Sequence, residues 1–425
     1  MSFALGFLPL GLLLLGFPIF LVLLASVSVA LLFFMDVPLT ALHQNLFGAI
    51  DAYALLAIPF FIFAGELMGR GSVADRLVSF VNAGVGSVRG SLAVTTVGSS
   101  ALFGAISGVS AATVATIGRA MLPALRRNGY PEKFSAGLLT AVGAIDIIIP
   151  PSIPMIVYGA AAQQSVPRLY AAGVLPGLLL AGMLCAYVMW YARRHRIGGG
   201  ERFSWAVFGR AAVRGLGALG APVIILGGIY GGVFSPTEAA AVACLYAIVV
   251  ARYFYRELSW RDILASAGTT AVFTGQILII VACANVFGWL LTVHQVPAAL
   301  VQWLTDLHLP GWSLLLAINV LLLAVGCFID PLSAILLLSP LLMPLVTAIG
   351  VDPVHFGIIV TVNLSIGLFH PPFGINIFVA QSVLKLPLES IYRGIVPFVV
   401  IYLIALGLIT YIPDISLWGM RLLLN

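Results

Sequence analysis

Long apolar runs are the feature that most limits what this chain can fold into. Runs of about 18 residues or more, long enough for a helix to cross a bilayer, recur along most of the sequence. Of its 425 residues, 61% are hydrophobic and only 8% are charged. Soluble domains carry about 25% charged residues, so little is left for a large water-facing domain. The sequence predicts an all-α polytopic membrane protein with a single transmembrane domain over residues 1–425.

Two of these apolar runs contain a pair of adjacent prolines. Pro150 and Pro151 interrupt GAIDIIIPPSIPMIVYG, and Pro371 and Pro372 interrupt NLSIGLFHPPFGINIFVAQ. Proline has no N–H group, so carbonyls of the preceding turn lose their partners, which is costly in hydrocarbon. A cation can meet such carbonyls, and the nearby N-termini of half-helices can meet an anion. We therefore expect two discontinuous helices, in residues 134–165 and 353–383, that line a site for ions and substrate.

Two further apolar stretches, at about residues 90–127 and 311–345, are too long for one span and too short for two. Polar, glycine or proline residues interrupt their middles, in GAISGVSAAT and GCFIDPLSA. Basic residues flank the first stretch on both sides: Arg70, Arg76, Arg89, Arg126, Arg127 and Lys133. Both of its ends therefore lie in the cytoplasm, which predicts a re-entrant helical hairpin. The second stretch has almost no charge and is predicted to form a hairpin that opens to the outside.

A shift of 221 residues relates the two halves of the sequence. The spacing from Pro123 to Pro150 is 27 residues, and it recurs from Pro344 to Pro371. Because the shift carries a cytoplasmic hairpin onto an outward one, the halves are predicted to be inverted repeats. Inverted repeats are typical of secondary transporters, which work by alternating access.

The repeats and the basic residues give the predicted organisation. The first repeat with its preceding helix covers residues 1–192, and the second covers 237–412. Residues 193–236, rich in arginine, are interpreted as a cytoplasmic loop with a connecting helix. The N-terminus is predicted to be cytoplasmic, and residues 413–425 are predicted to be a short periplasmic tail. Residues 5–34 are interpreted as one retained transmembrane helix.

Several function classes are disfavoured by the sequence. It contains no GxxxxGK[ST] motif, so no P-loop for ATP is present. The basic residues are spread among short loops, which indicates topology signals and not a nucleic-acid surface. Four cysteines, Cys185, Cys244, Cys283 and Cys327, lie in apolar segments without a CxxC pair and are interpreted as core residues. No cofactor is expected.

The motifs resemble those of the large membrane subunit (M, or DctM-like) of tripartite ATP-independent periplasmic (TRAP) transporters. The resemblance rests on IIPPSIPMIVYG, FSPTEAAAVACLYA and NLSIGLFHPPFGINIF and covers nearly the whole chain. It implies an elevator carrier of the ion transporter superfamily in the bacterial inner membrane, with sodium as the coupling ion. It also implies a small four-helix membrane subunit (DctQ-like) and a periplasmic binding protein (DctP-like) that delivers an organic acid.

The resemblance further implies the residues of the site. Substrate contacts fall on Ser107, Ser152 and Asp330. Sodium ligands around the first tip and break would come from Ser107, Gly108, Ser110, Gly143, Asp146 and Ile148. Those around the second tip and break would come from Gly326, Ser333, Ser365, Gly367 and His370.

Two positions depart from the family pattern. The second break reads HPP where the family commonly has TPP, so His370 replaces a hydroxyl, and Asp146 stands where glycine is common. We hypothesise that titration of His370 makes transport depend on pH. Uptake by a His370→Thr variant with the pH profile of the parent would contradict this hypothesis.

Two alternatives remain at this point. One is a stand-alone sodium/dicarboxylate symporter of the same superfamily, which needs no binding protein. The other is an intramembrane aspartyl protease that uses Asp146 and Asp330, because carboxylates inside a membrane are functional candidates. Such a protease needs two carboxyl groups that share a proton, and neither aspartate stands in a GxGD motif.

Overall fold

The computed structural model describes residues 7–35, 37–38, 40–200, 202–306 and 309–424. Within these ranges the chain is helical, and the only β-type pairing is an isolated bridge between Arg89 and Gly199. Seven of the described helices are long and apolar enough to cross a membrane. The predicted all-α membrane class is confirmed. Residues 1–6, with the predicted cytoplasmic N-terminus, and residue 425 of the predicted tail lie outside the described residues.

Among the described residues, five α-helices precede the first hairpin, with a short 3₁₀ turn (Tyr53–Leu56) before the fourth. They are α1 (Leu8–Leu14), α2 (Ile19–Phe34), α3 (Thr40–Ile50), α4 (Ala57–Arg70) and α5 (Val73–Val85). The prediction of one helix over residues 5–34 was wrong, because α1 and α2 are separate. Gly16 between them adopts a left-handed φ of +80°, and Pro18 directly precedes α2. Both features end a helix, since glycine favours that conformation and proline cannot donate the next hydrogen bond.

The first repeat contains the predicted hairpin and broken helix. Its helices are α6 (Ser91–Ser107), α7 (Ser110–Arg127), α8 (Glu132–Val142), α9 (Ile153–Ala161) and α10 (Val166–Arg194). The turn between α6 and α7 passes through Gly108, whose φ of +62° suits glycine. Between α8 and α9 a 3₁₀ turn (Gly143–Ile145) and the two prolines interrupt the helix.

The connecting region and the second repeat follow. The connecting helices are α11 (Trp205–Tyr230), α12 (Pro236–Val249), α13 (Trp260–Val293) and α14 (Val296–Asp306). The second hairpin and broken helix are α15 (Gly311–Gly326), α16 (Pro331–Ala348), α17 (Pro353–Gly367) and α18 (Ile375–Leu384). The chain then forms α19 (Leu388–Tyr411) and α20 (Asp414–Leu424), so most of the predicted tail is a helix. A Cβ on Gly419 of α20 would lie 2.9 Å from the Ala171 carbonyl oxygen, so α20 packs closely on α10.

Corresponding helices of the two repeats begin at the predicted spacing. The starts of α7 and α16 are 221 residues apart, as are those of α8 and α17. Between each hairpin and its broken helix, Gly129 and Gly350 have nearly the same left-handed φ, +79° and +80°. The peptide bond between the two prolines is cis in both breaks.

Contacts of α19 place the open ends of the two hairpins at opposite ends of the molecule. Near its start, Ser390 donates a hydrogen bond to Glu132 (3.3 Å), which directly follows the first hairpin. At its end, the Tyr411 hydroxyl donates to the Trp312 carbonyl (3.0 Å), where the second hairpin begins. Residues 390 and 411 lie about 30 Å apart along a helix that rises ~1.5 Å per residue. The hairpins therefore open toward opposite sides, as inverted repeats require.

Candidate functional site

Each broken helix reaches the hairpin of the other repeat. The second half of the first broken helix, α9, packs against α16, and the second half of the other, α18, packs against α7. Both hairpin tips and both breaks therefore meet in one region of the molecule. The proline pairs separate the half-helices so that each can turn toward its neighbour.

A cavity of about 370 Å³ lies where these elements meet. The tips contribute residues 108–111 and 330–332, and the breaks contribute Ile147, Ile153, Pro154, Leu368, Ile375 and Asn376. The remaining wall is one face of α13, formed by Phe273, Gln276, Ile277 and Ile280. The lining is thus mostly apolar with a few polar groups, which is the usual character of a small-molecule site.

Four helices begin at this cavity. The first residues of α7, α9, α16 and α18 all belong to its lining. The first N–H groups of a helix have no partner within the helix and carry a partial positive charge. Among the described lining residues there is no lysine, arginine or histidine, and Asp330 is the one ionisable side chain. Among the described lining residues, the groups that can meet an anion therefore include the helix N-termini and the side-chain amides of Gln276 and Asn376.

Asp330 is held in place at the start of α16. One of its carboxylate oxygens accepts a hydrogen bond from the Ser333 amide (3.0 Å), and the other accepts one from the Ser333 hydroxyl (2.6 Å). This is an N-cap, which satisfies a free N–H of the first helical turn. The two predicted residues Asp330 and Ser333 are therefore partners, and Asp330 lines the cavity.

The other two predicted substrate contacts, Ser107 and Ser152, are buried beside the cavity and do not belong to its lining. The Ser152 hydroxyl donates to the Ile147 carbonyl (2.5 Å) and accepts from the Met155 amide (3.4 Å), so it caps α9. The Ser107 hydroxyl has no hydrogen-bond partner among the described residues.

The predicted residues of the first tip and break are close together. Asp146 accepts a hydrogen bond from Thr113 of α7 through one oxygen, whereas its Oδ1 is buried without a hydrogen-bond partner among the described residues. A Cβ on Gly104 would lie 2.6 Å from that Oδ1. A Cβ on Gly108 would lie 3.1 Å from the Pro151 carbonyl oxygen. The two glycines therefore allow the hairpin backbone to pack directly against the unwound segment.

Gly143 and Ile148 of the first break face different neighbours. A Cβ on Gly143 would lie 2.9 Å from the Ser110 carbonyl oxygen, at the hairpin tip. The Ile148 carbonyl oxygen instead lies 2.9 Å from the position of a Cβ on Gly173 of α10. The structure thus brings Ser107, Gly108, Ser110, Gly143 and Asp146 together, and the Ile148 carbonyl faces away toward α10.

The second tip and break also touch. A Cβ on Gly367 would lie 2.4 Å from the Gly326 carbonyl oxygen, so these two backbones are in direct contact. The His370 Nδ1 lies 3.2 Å from the Cys327 sulfur at the tip and 2.5 Å from the Pro371 carbonyl oxygen. The buried Ser365 hydroxyl donates to the Val362 carbonyl (2.6 Å) within α17.

Asn376, a residue that the sequence analysis missed, joins the two repeats. The Ser110 hydroxyl donates to its Oδ1 (3.1 Å), and its Nδ2 lies 2.9 Å from the Ser110 oxygen and donates to the Thr140 carbonyl (3.2 Å). The signal in the sequence was an amide two residues after the Gly374 of an apolar segment broken by two prolines. A polar side chain within a membrane segment is a functional candidate for the same reason as a carboxylate.

The two candidate aspartates have separate partners. Asp146 is bonded to Thr113, and Asp330 is bonded to Ser333. An aspartyl protease needs its two carboxyl groups hydrogen-bonded to each other through a shared proton. Among the described residues, Asp146 and Asp330 instead each accept a hydrogen bond from a hydroxyl group, and no hydrogen bond joins the two aspartates.

Comparison with known proteins identifies the family. Residues 7–415 match the family model described as the DctM component of the tripartite ATP-independent periplasmic transporter. The C4-dicarboxylate TRAP transporter large permease protein DctM of Pseudomonas aeruginosa is 42% identical over 398 residues, 92% of each chain. The isethionate TRAP transporter permease protein DctMQ of Oleidesulfovibrio alaskensis is 40% identical over 388 residues, 90% of this chain and 60% of that protein.

A solved structure supports the fold. The YdaH transporter of Alcanivorax borkumensis superimposes with a TM-score of 0.66 over 90% of this chain and 88% of that one, at 17% sequence identity. The two chains thus share a fold, while the family model and the relatives cover nearly the whole of this chain. This chain belongs to the DctM family, the large permease components of tripartite ATP-independent periplasmic transporters.

Proposed function

We propose that this chain carries an organic acid from the periplasm to the cytoplasm together with sodium ions. The observation that supports the proposal most strongly is the convergence of four helix N-termini on one cavity between the hairpin tips. Helix N-termini favour anions because their free N–H groups point at the ligand. A C4-dicarboxylate is the substrate class that we propose, since the relative from Pseudomonas aeruginosa is named for it.

The charges of the cavity give a reason for cation coupling. An anion there would meet the Asp330 carboxylate and no cationic side chain among the described lining residues. Unpaired charges in a low-dielectric interior are costly. Sodium ions would offset that cost, and hard cations take oxygen ligands such as those near the tips, including Asp146 Oδ1 and the Ser107 hydroxyl. Each ligand would then increase the affinity for the other.

An elevator motion is the mechanism that we propose. The hydrogen bonds of Asn376 join the second broken helix to the first hairpin and to the first broken helix. The second hairpin packs on both broken helices through α16, so we propose that the four elements move as one body. The face of α13 that closes the cavity is mostly apolar, and an apolar surface permits sliding without broken hydrogen bonds. We propose that the chain lies in a bacterial inner membrane. Its N-terminus and the arginine-rich residues 193–236 would face the cytoplasm, and its C-terminus would face the periplasm.

Two partners belong to the proposal. The isethionate relative is named DctMQ, and this chain covers 60% of its length. We propose that a small membrane subunit corresponding to the remaining part assembles with this chain. The family description names a periplasmic transporter of three components, and the third would be a binding protein that delivers the acid.

Uptake into proteoliposomes tests the proposal. The chain is reconstituted with its small subunit, and radiolabelled succinate is added with the binding protein outside. We expect uptake with an inward sodium gradient and none when choline replaces sodium. Uptake that persists in choline would contradict sodium coupling, and sodium-driven uptake without the binding protein would favour the stand-alone symporter.

A further inference from the structure

A second cavity, of about 490 Å³, lies between α5 and the start of α11. Four arginines line it, Arg76, Arg202, Arg210 and Arg214, and Asp75 is the one acidic residue among the described lining residues. Hydroxyl and amide side chains of Ser72, Ser79, Asn82 and Ser204 complete the polar wall. This concentration of positive charge in a concave surface is separate from the hairpin tips and has no role in the transport site.

Arg76 already has partners and forms a fixed wall of this arginine pocket. Its guanidinium donates to Glu257 (3.2 Å) and to the Arg214 carbonyl (3.3 Å), and it lies 3.8 Å above the centre of the Tyr255 ring. These contacts neutralise its charge and fix the position of α5 relative to α11.

The other three arginines retain free charge. Arg202, Arg210 and Arg214 are exposed, and none forms an ion pair with a carboxylate among the described residues. The Nε of Arg210 donates to the Ala206 carbonyl (3.2 Å), which leaves its two terminal nitrogens available. Three guanidinium groups around one cavity repel each other unless an anion lies between them.

Aromatic residues indicate the depth of the pocket relative to a membrane. Phe203 and Trp205 stand edge to face with ring centres 5.0 Å apart, and Phe80 lies 5.2 Å from Phe208. Trp205, at the first position of the spanning helix α11, is 78% exposed. Exposed tryptophan at the end of a spanning helix marks the level of the lipid headgroups. The arginine pocket therefore opens where phosphate groups are most concentrated.

We propose that the arginine pocket binds a phosphate group, supplied by the headgroup of an anionic phospholipid or by a soluble phosphate compound. Guanidinium groups bind phosphate oxygens in pairs of parallel hydrogen bonds, and basic pockets between spanning helices bind anionic headgroups. A ligand held by Arg202, Arg210 and Arg214 would contact α5 through Ser79 and Asn82. Because α5 leads directly into the first hairpin, the bound phosphate would connect α11 to the hairpin.

Lipid binding by matched variants tests whether an anionic phospholipid supplies the phosphate group. The full chain is placed in nanodiscs of phosphatidylcholine with a minor fraction of phosphatidylglycerol, and retained lipids are counted by native mass spectrometry after release into detergent. We expect the triple variant R202Q/R210Q/R214Q to retain phosphatidylglycerol about a hundredfold less than the parent, given about 1 kcal/mol for each of the three basic residues near a membrane surface and about 1.4 kcal/mol per factor of ten in affinity. The control R193Q/R194Q/R196Q removes as many exposed arginines outside the pocket and should retain it as the parent does.

Inorganic phosphate tests whether a soluble compound supplies the phosphate group. In nanodiscs of phosphatidylcholine alone, phosphate at constant ionic strength should raise the unfolding temperature of the parent and the control, but not that of the pocket variant. A response only to phosphatidylglycerol identifies a lipid site, and a response to phosphate identifies a soluble ligand. Equal behaviour of all three proteins in both experiments would overturn the proposal. If the triple variant unfolds at a lower temperature without ligand, the single variant Arg210→Gln replaces it.

Discussion

At the residue scale, the candidate transport site depends on side chains that join the two repeats. Asn376 and Ser110 exchange hydrogen bonds across 266 positions of sequence, and Asn376 also holds the Thr140 carbonyl of the first broken helix. These contacts keep the tip of one hairpin at the break of the other repeat. Loss of Asn376 should therefore affect the shape of the cavity more than the global fold.

We expect Asn376→Ala to reduce sodium-driven uptake at least about tenfold, while the free energy of unfolding falls by only ~1 to 2 kcal/mol. Asn128→Ala is the matched control, because Asn128 is exposed and its amide bonds only to the Ala124 carbonyl (2.9 Å). Proteoliposome uptake and thermal unfolding measure the two effects. An Asn376→Ala protein with uptake like the control would show that this link is not needed.

Asp330 provides the second test at this scale. Asp330→Asn keeps the shape and the N-cap of α16 but removes the negative charge. We therefore expect the factor by which sodium raises the affinity for the organic acid to fall about tenfold or more. Asp352→Asn is the control: Asp352 caps α17 in the same way, with bonds from the Val354 and His355 amides (2.8 and 3.1 Å), away from the cavity. Substrate binding measured over a series of sodium concentrations separates the two. Equal sodium dependence in both variants would remove Asp330 from the coupling.

The sequence predicted some of these residues and missed others for physical reasons. The tip aspartate was predicted because a carboxylate inside a membrane segment is costly and therefore conspicuous. Asn376 and Gln276 were missed because a single amide costs less to bury, and its partner can lie hundreds of residues away. Ser152 was predicted from the motif, but the structure uses its hydroxyl to cap α9.

At the element scale, each hairpin meets its own broken helix at a position where only glycine fits. The Gly326 carbonyl contacts Gly367 in the second repeat, and Gly104 contacts Asp146 in the first. Positions 146 and 367 correspond under the shift of 221 residues. In both repeats the hairpin therefore contacts the same position of the broken helix, which is an aspartate in the first repeat and a glycine in the second. The hairpin tip is thereby fixed against the unwound segment.

We expect Gly367→Ala to lower the free energy of unfolding by ~1 to 3 kcal/mol, because the new methyl group would meet a backbone carbonyl that has little room to move. Gly407→Ala is the control, since a Cβ at this helical position would have no neighbour within 4 Å. Thermal unfolding in the same detergent measures both variants. Equal unfolding temperatures would mean that the hairpin and α17 are not in contact at this point.

The contact between α5 and the loop after α12 gives a pH-dependent prediction. Burial of the Glu257 carboxylate tends to raise its pKa, but hydrogen bonds from Ser72 and Arg76 outweigh burial and hold the pKa below the ordinary value of 4.5. A carboxylate with a lowered pKa in the folded state stabilises the protein above pH 4.5 and loses this effect as the pH falls through its folded pKa.

At pH 7 we therefore expect Glu257→Gln to be less stable than the parent by ~1 kcal/mol, a modest value because the pair is partly exposed. The difference should shrink as the pH falls below about 4.5, the ordinary pKa of a glutamate. Unfolding temperatures across the pH range measure it, with Glu389→Gln as the control, because Glu389 forms only an exposed pair with Arg393 on the same helix. A constant difference down to the lowest pH would contradict this role of Glu257.

At the scale of the whole molecule, the architecture could be predicted from the sequence because two pairs of prolines and one spacing define it. The hairpins and broken helices begin and end within a few residues of the predicted bounds. The split between α1 and α2 was missed because apolar length was given more weight than Gly16 and Pro18. Helix α5 was missed because its arginine, Arg76, was interpreted only as a topology signal, although it also lines a cavity.

The central claim is that the cavity between the hairpin tips and α13 holds the organic acid only when sodium is bound. A Gln276→Cys variant, made in a chain whose four native cysteines are replaced by serine, reports directly on this cavity. We expect succinate to slow the reaction of this cysteine with a maleimide in sodium but not in choline, whereas Asn128→Cys on the exposed surface should react equally in all conditions. Protection by succinate without sodium, or no protection in either salt, would contradict the account.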